Sequence, residues 1–418
     1  MNKLVVEGGR RLAGAISVHG AKNSALPILS ATVLVHGCCR IENCPQLSDV
    51  AAAIAILEHL GCTVERDGHA VCVDATHVCR GDIPDALMRE MRSSIVFLGA
   101  VAARMGGARL SFPGGCELGP RPIDLHLAAL RRLGLNIDEE GGFLCCHTDG
   151  RLRGCSLTLA FPSVGATENI LLAAVTADGT TTIHNAAREP EIEDLCAFLS
   201  ACGAQIYGAG QSTITVDGVP QLHGCTHRVI PDRIETVTYM AAAAVTGSAL
   251  LLKQVRPSHL CAVTPLFEEM GCTLTAWDDE LLIGAPPRLA RVKTVRTLPY
   301  PGFPTDAQAL LMAATCVAVG TSVFVETIFE SRYKHVGELH RLGARIKVEG
   351  RVAVVEGTPS LSGAPVECTD LRGGAALAIA ALAAEGRTEI TQLHHLYRGY
   401  EGFAEALAAV GACIHTEK

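Results

Sequence analysis

With 418 residues, the chain exceeds what one hydrophobic core usually holds, and two domains are expected. Hydrophobic residues make up 49% of it but aromatics only 4%, so its cores are built from Ala, Val, Leu and Ile. The net charge of −8 argues against a nucleic-acid partner, though not against an anionic small molecule held by a local Arg/Lys cluster. The longest apolar run, Ala375 to Ala384, is too short to span a bilayer.

In chain order, Met1-Asn-Lys-Leu-Val-Val-Glu-Gly-Gly9 reads as a strand without the apolar stretch of a signal peptide. Eighteen Cys without regular framework spacing or any Cys-x-x-Cys pair fit reduced thiols in a cytoplasmic protein, with no metal site. A helical period over 49–60 leads into Leu60-Gly-Cys-Thr-Val64, and Asp67-Gly68 reads as a hairpin turn.

The same signature returns as Leu133-Gly-Leu-Asn-Ile137, Cys202-Gly-Ala-Gln-Ile206, Met270-Gly-Cys-Thr-Leu274, Leu342-Gly-Ala-Arg-Ile346 and Val410-Gly-Ala-Cys-Ile414. Each follows a helical-period segment, such as 124–133 or 401–410, and most precede a strand, a turn and a strand, as in 345–356. Gly61, Gly134, Gly203, Gly271, Gly343 and Gly411 therefore read as left-handed helix ends, about 70 residues apart. Three such units per domain give two similar α/β domains. Crossings are expected near Gly20–Lys22 and in Arg228-Val-Ile-Pro-Asp-Arg233. One domain would then span 22–229 and the other 1–21 with 230–418, with a ligand site in the cleft between them.

The loop Phe112-Pro-Gly-Gly-Cys-Glu-Leu-Gly-Pro-Arg-Pro-Ile-Asp-Leu-His126 carries the clearest chemistry. Its glycines allow close approach to a ligand, and its prolines block helix and central strand. Cys116 sits there near Arg121, a cation that favours the thiolate. The other cysteines, among them Cys62, Cys202 and Cys272, read as small core residues.

Together with Gly20-Ala-Lys-Asn-Ser-Ala-Leu-Pro27, Pro162-Ser-Val-Gly-Ala-Thr-Glu168 and Asn185-Ala-Ala-Arg-Glu-Pro-Glu-Ile192, this loop resembles the UDP-N-acetylglucosamine enolpyruvyltransferases. Pro301-Gly-Phe-Pro-Thr-Asp-Ala-Gln308, Asp370-Leu-Arg372 and Arg398-Gly-Tyr-Glu401 complete the set, which runs in order from Leu4 to about Leu407. The resemblance implies an α/β (α+β) fold of two threefold pseudo-symmetric inside-out barrels, helices inside and sheets outside. It also implies addition–elimination between phosphoenolpyruvate and the 3′-hydroxyl of UDP-N-acetylglucosamine, with phosphate released and neither cofactor nor metal required.

On that resemblance, Cys116 protonates the methylene carbon and is open to alkylation by an epoxide such as fosfomycin. Asp306 takes the hydroxyl proton. Lys22, Arg121 and Arg398 surround the phosphate, Arg332 and Arg372 make further anion contacts, and Asn23 orients substrate. Arg92, Arg121, Pro122, Ile123, Asp124, Leu125, Ser163, Val164, Gly165 and Ile328 correspond to positions that hold the sugar nucleotide.

Read from the residues alone, other roles stay open. Lys22 could be a solvated charge before a helix, and Asp306 an N-terminal helix residue. Arg92, Arg332 and Arg372 could be surface or ion-pair residues, and Asp124 could simply hold a helix start. His126, His335, His394 and His395 read as structural or surface residues. Four features depart from the family pattern: Gly373-Gly374, which would loosen a helix start, Tyr397 in place of an acidic neighbour of Arg398, Ser331, and Lys334. Competing functions are the sister 3-phosphoshikimate transferase, a non-catalytic sugar-nucleotide-binding paralogue, and a thiol hydrolase or redox protein centred on Cys116.

Overall fold

All six repeat glycines end helices in one way. The computed structural model describes residues 2–91, 93–112 and 123–417. In it Gly61, Gly134, Gly203, Gly271, Gly343 and Gly411 have φ between 89° and 103°, where a side chain would be strained. After the helix Ser48–Leu60, the Gly61 N–H donates to the Glu58 carbonyl (3.1 Å) and the Cys62 N–H reaches back to Leu57 (2.9 Å). The same pair of bonds recurs at the other five glycines. This is the paired closure that satisfies the last helical carbonyls. The residue after each glycine, from Cys62 to Ala412, is buried, which accounts for the small or apolar choice there.

Five of the helix ends feed a hairpin and the sixth feeds the strand Cys413–Glu417, and each belongs to a four-stranded sheet; the described residues form six such sheets. In the sheet containing Thr321–Val325, the strand Thr294–Arg296 pairs parallel to it, Val352–Glu356 antiparallel, and Arg345–Glu349 completes the hairpin. Ala353 and Val355 face inward while Val352 and Val354 stay exposed, the alternation of a sheet with one wet face.

The described residues divide into two compact units, one of residues 2–19 and 231–417, the other of 20–91, 93–112 and 123–230. Distant segments close both. In the first, Lys3–Glu7 lies between Arg387–Thr391 and Cys413–Glu417, and Ala13–Ser17 pairs with Ala249–Lys253. In the second, Thr226–Arg228 returns to pair with Cys38–Glu42.

The inside of each unit is helical. Arg233–Val245, Thr305–Thr315 and Leu371–Leu382 pack on one another, and their buried Ala-rich faces allow close approach. In the other unit Phe97–Met105 packs against Val164–Ala174 so closely that a Cβ on Gly99 would fall 2.4 Å from the Asn169 carbonyl. The fold is thus two similar α/β domains of three repeats each, with helices inside and sheets outside.

Candidate active site

Several of the residues singled out for chemistry lie at the N-terminal turns of inner helices, each within its own unit. Free N–H groups and the helix dipole make such turns receptive to anions. In the 231–417 unit, Asp306 lies in the first turn of Thr305–Thr315. Arg332 Nη2 donates to its Oδ1 (3.1 Å), and Arg372 Nε and Nη2 both donate to its Oδ2 (3.3 Å). Arg332 also holds the Thr305 carbonyl through Nε and Nη2.

The two arginine side chains are only 3% and 2% exposed, while that of Asp306 is 29% exposed. Two buried guanidiniums thus share one carboxylate, and Arg372 Nη1 has no hydrogen-bond partner among the described residues. Burial works to lower the Arg372 pKa, but the attraction of Tyr400, Asp306 and Asp232 outweighs it and the value is raised. Burying such an arrangement is costly unless an incoming anion completes it.

Neighbouring residues fix this group. Asp370 caps the helix Leu371–Leu382, accepting from the Arg372 and Gly373 N–H groups at 3.1 and 3.0 Å. The helix start that carries Gly373-Gly374 is thus capped. A Cβ on Gly373 would lie 2.7 Å from Asp370 Oδ2 and 2.9 Å from His335 Cβ, so glycine makes room for that fully buried histidine. The Tyr400 ring centre lies 5.3 Å from the Arg372 guanidinium carbon, and its hydroxyl is 2.8 Å from Thr238 Oγ1. Glu326 accepts from the N–H groups of Ile328 (2.8 Å) and Phe329 (3.1 Å), setting the loop that carries Ile328. Arg398 follows the short helix His394–Tyr397 and is half-buried, and the Tyr397 hydroxyl turns to Thr416 Oγ1 at 3.3 Å.

In the 20–230 unit, Lys22 opens the helix Lys22–Thr32, followed by Asn23. Lys22 is largely buried, with Nζ 3.3 Å from Asp49 Oδ2, so it is not a solvated surface charge. The next residue, Ser24, donates to Asp194, which also binds His227 Nε2 at 2.9 Å and the Ile230 N–H at 3.2 Å. Ser163 caps the helix Val164–Ala174 by accepting from the Ala166 N–H.

His126, two residues into the helix Asp124–Arg132, lies against Gly165, whose Cβ would be 3.0 Å from the ring. Asn169 accepts from the Gly99 N–H through Oδ1 (2.7 Å), which orients its amide so that Nδ2 donates to His126 Nδ1 (2.8 Å). The helix Asp124–Arg132 thus packs against Val164–Ala174, with His126 on Gly165. Arg92, Cys116, Arg121 and Pro122 lie outside the described residues.

Sequence reasoning gave no role to Asp49, Asp194, Asn169, Glu326 or Tyr400. Only Tyr400 had a local signal, since it falls inside Arg398-Gly-Tyr-Glu401. Asp49, Asp194 and Asn169 act across long sequence separations, and Glu326 joins its local contacts to Thr297 and Thr305.

Comparison with known proteins agrees with the geometry. The family model described as EPSP synthase (3-phosphoshikimate 1-carboxyvinyltransferase) matches residues 6–407. The enolpyruvyl transferase NikO from Streptomyces tendae superposes with a TM-score of 0.91 at 29% identity, covering 99% of this chain and 98% of that one. An EPSP synthase structure from Acinetobacter baumannii shares the fold, with a TM-score of 0.78 at 19% identity and full coverage of both chains. Fold and family match together define an enolpyruvyl transferase.

Curated relatives are closer in sequence. UDP-N-acetylglucosamine 1-carboxyvinyltransferase 2 of Caldanaerobacter subterraneus subsp. tengcongensis is 51% identical, covering 99% of both chains. The corresponding enzymes of Symbiobacterium thermophilum and Dichelobacter nodosus are 49% and 48% identical, each covering 99% of this chain and 94% and 99% of their own. The chain belongs to the UDP-N-acetylglucosamine 1-carboxyvinyltransferase family.

Proposed function

We propose that the chain transfers the enolpyruvyl group of phosphoenolpyruvate to the 3′-hydroxyl of UDP-N-acetylglucosamine and releases phosphate, opening peptidoglycan synthesis in the cytoplasm. The names of its relatives support the reaction. The observation that carries the site is Asp306 held between Arg332 and Arg372, with cationic hydrogen-bonding capacity left over.

In this reading, Cys116 gives a proton to C3 of phosphoenolpyruvate while the sugar oxygen bonds to C2 and Asp306 takes its proton. The C2–O bond to phosphate then breaks, a proton leaves C3, and the double bond re-forms. An anion arriving between Arg332 and Arg372 competes with Asp306 for their donors and frees its carboxylate to act as base. Lys22, Arg121 and Arg398 take the phosphate, with Asn23 beside Lys22 orienting the substrate. Ile123 to Leu125 and Ser163 to Gly165, with Arg92, Arg121, Pro122 and Ile328, hold the sugar nucleotide. The helix starts at Asp124 and Val164 offer it backbone N–H groups.

The test is phosphate release from phosphoenolpyruvate with and without UDP-N-acetylglucosamine, beside a Cys116→Ala control. Release that needs the acceptor and collapses in the variant supports the reading. A folded protein that releases no phosphate with this acceptor overturns it.

No helix among the described residues is long and apolar enough to cross a membrane.

A further inference from the structure

Three cysteines far apart in sequence meet inside the 20–230 unit. Cys39 lies on the strand Cys38–Glu42, Cys202 follows the helix Pro190–Ala201, and Cys225 directly precedes the closing strand Thr226–Arg228. Their sulfurs all lie within 4.8 Å of one another, with Cys202 and Cys225 3.4 Å apart. That is well beyond the ~2.05 Å of a disulfide, so these are separate thiols.

Backbone bonds fix each arm. The Arg40 N–H donates to the Cys225 carbonyl, and the His223 N–H to the Cys202 carbonyl, both at 2.9 Å. Cys39 and Cys202 are fully buried, while Cys225 is half-buried and leaves a way in. Cys202 and Cys225 share a hydrogen bond, which joins two arms of the cluster. The cluster thus offers three adjacent thiols, one of them only half-buried.

Charge and ligand count select what fits. Structural zinc wants four ligands, and bonds of ~2.3 Å would hold the sulfurs of a tetrahedral ion ~3.8 Å apart. No fourth metal-ligating side chain joins the three among the described residues. Zinc or copper(I) on three thiolates would also leave net negative charge in a buried site at the C-terminal, negative end of a helix. A trivalent metalloid has neither difficulty. It takes three sulfurs in a pyramid, which brings them closer than a tetrahedron does, and the product is neutral.

We propose that Cys39, Cys202 and Cys225 form a binding site for trivalent arsenic, taken up as arsenous acid. Three As–O bonds are replaced by three As–S bonds, the three thiol protons leave with the hydroxyls as three waters, and no electrons are transferred. Because Cys225 adjoins the strand that closes the unit, the adduct would tie that strand to the helix Pro190–Ala201 and to Cys38–Glu42. It would therefore stabilise the unit as any ligand specific to the folded state does.

The experiment titrates arsenite into the full chain, reduced with a thiol-free phosphine, and follows native mass, arsenic X-ray absorption and thermal unfolding. One tight equivalent with three sulfur neighbours and a raised unfolding temperature is expected. Cys39→Ala, Cys202→Ala and Cys225→Ser should each lose the three-sulfur signature and bind more than ~100-fold more weakly, beyond the usual cost of altering an outer-shell partner. Cys72→Ala and Cys261→Ala should match the parent chain. Cys225 is only half-buried, so its serine variant, checked by unfolding without arsenite, keeps the test open should the buried variants fail to fold. A three-sulfur adduct surviving in Cys225→Ser, an adduct with only two sulfurs in the parent chain, or zinc bound in preference to arsenite would overturn the proposal.

Discussion

The two units share a scaffold but treat charge differently at the same place, the N-terminal turns of their inner helices. Among the described residues of the 20–230 unit, two buried charges near these turns are matched locally: Lys22 faces Asp49, and Asp194 is satisfied by Ser24, His227 and the Ile230 N–H. In the 231–417 unit two guanidiniums share Asp306, and Arg372 Nη1 lacks a partner among the described residues. A repeat architecture supplies equivalent positions, and side-chain choice decides which are satisfied in advance and which await a ligand. Satisfied positions add rigidity, whereas an unsatisfied one stores affinity at some expense of stability.

The largest expected effect comes from breaking the unsatisfied side. Asp306→Asn should lower turnover by ~100- to 10,000-fold, the range for loss of a general base, and should leave substrate affinity less affected. Steady-state phosphate release, with KM for each substrate, checks it. An unchanged turnover would remove Asp306 from the chemistry.

Next is the matched side. Lys22→Met should cut kcat/KM for phosphoenolpyruvate on the order of 100-fold through loss of a charge-assisted contact, and should destabilise the fold by removing the cation that faces the buried Asp49. Adding Asp49→Asn should recover the unfolding temperature without recovering activity. If both return together, Lys22 serves only the fold.

How far these features were legible depends on the span of each interaction. The helix-ending glycines were visible because the closure uses consecutive residues: Gly61 needs φ of 103°, and Cys62 must be small or apolar to be buried behind it. Asp306 and Arg372 stood out within short motifs, but their pairing joins positions 66 residues apart and needs the packed helices to be seen. For His126 the sequence leaves a structural or a surface role open, and only the fold shows that it braces Gly165 through a ring turned by Asn169. Cys202 looked like a small core residue, and nothing near it in sequence points to Cys39 or Cys225.

Acid should separate the units. His335 is fully buried in the 231–417 unit with its pKa lowered to about 4: burial disfavours the charged ring, and Arg332 adds to this while Asp370 opposes it. A folded-state value below the free-imidazole value of ~6.5 means that the unfolded chain takes up the proton first. The contribution is therefore complete above about pH 6.5 and is lost as pH falls from there toward 4, by up to roughly 3 kcal/mol. Denaturant unfolding across that window, followed by a probe in each unit, should show the 231–417 unit weakening, and His335→Leu should flatten its slope. An unchanged slope in His335→Leu would assign the acid sensitivity to other groups.

The smallest effect tests why this chain has glycine at 373. A methyl there meets Asp370 Oδ2 at 2.7 Å and His335 Cβ at 2.9 Å, and both belong to well-packed surroundings. Gly373→Ala should gain the usual helix preference of alanine over glycine, close to 1 kcal/mol, and lose ~1–3 kcal/mol to overpacking, for a small net destabilisation. Combining it with His335→Ala opens the space the methyl needs, so the alanine should cost less in that background than in the parent chain, a coupling that a double-mutant cycle in unfolding free energy measures. Additive effects would mean that the helix start relaxes away from His335. Coupling would mean that the glycine and the neutral buried histidine are one packing choice, made where Asp370 caps the helix that delivers Arg372 to Asp306.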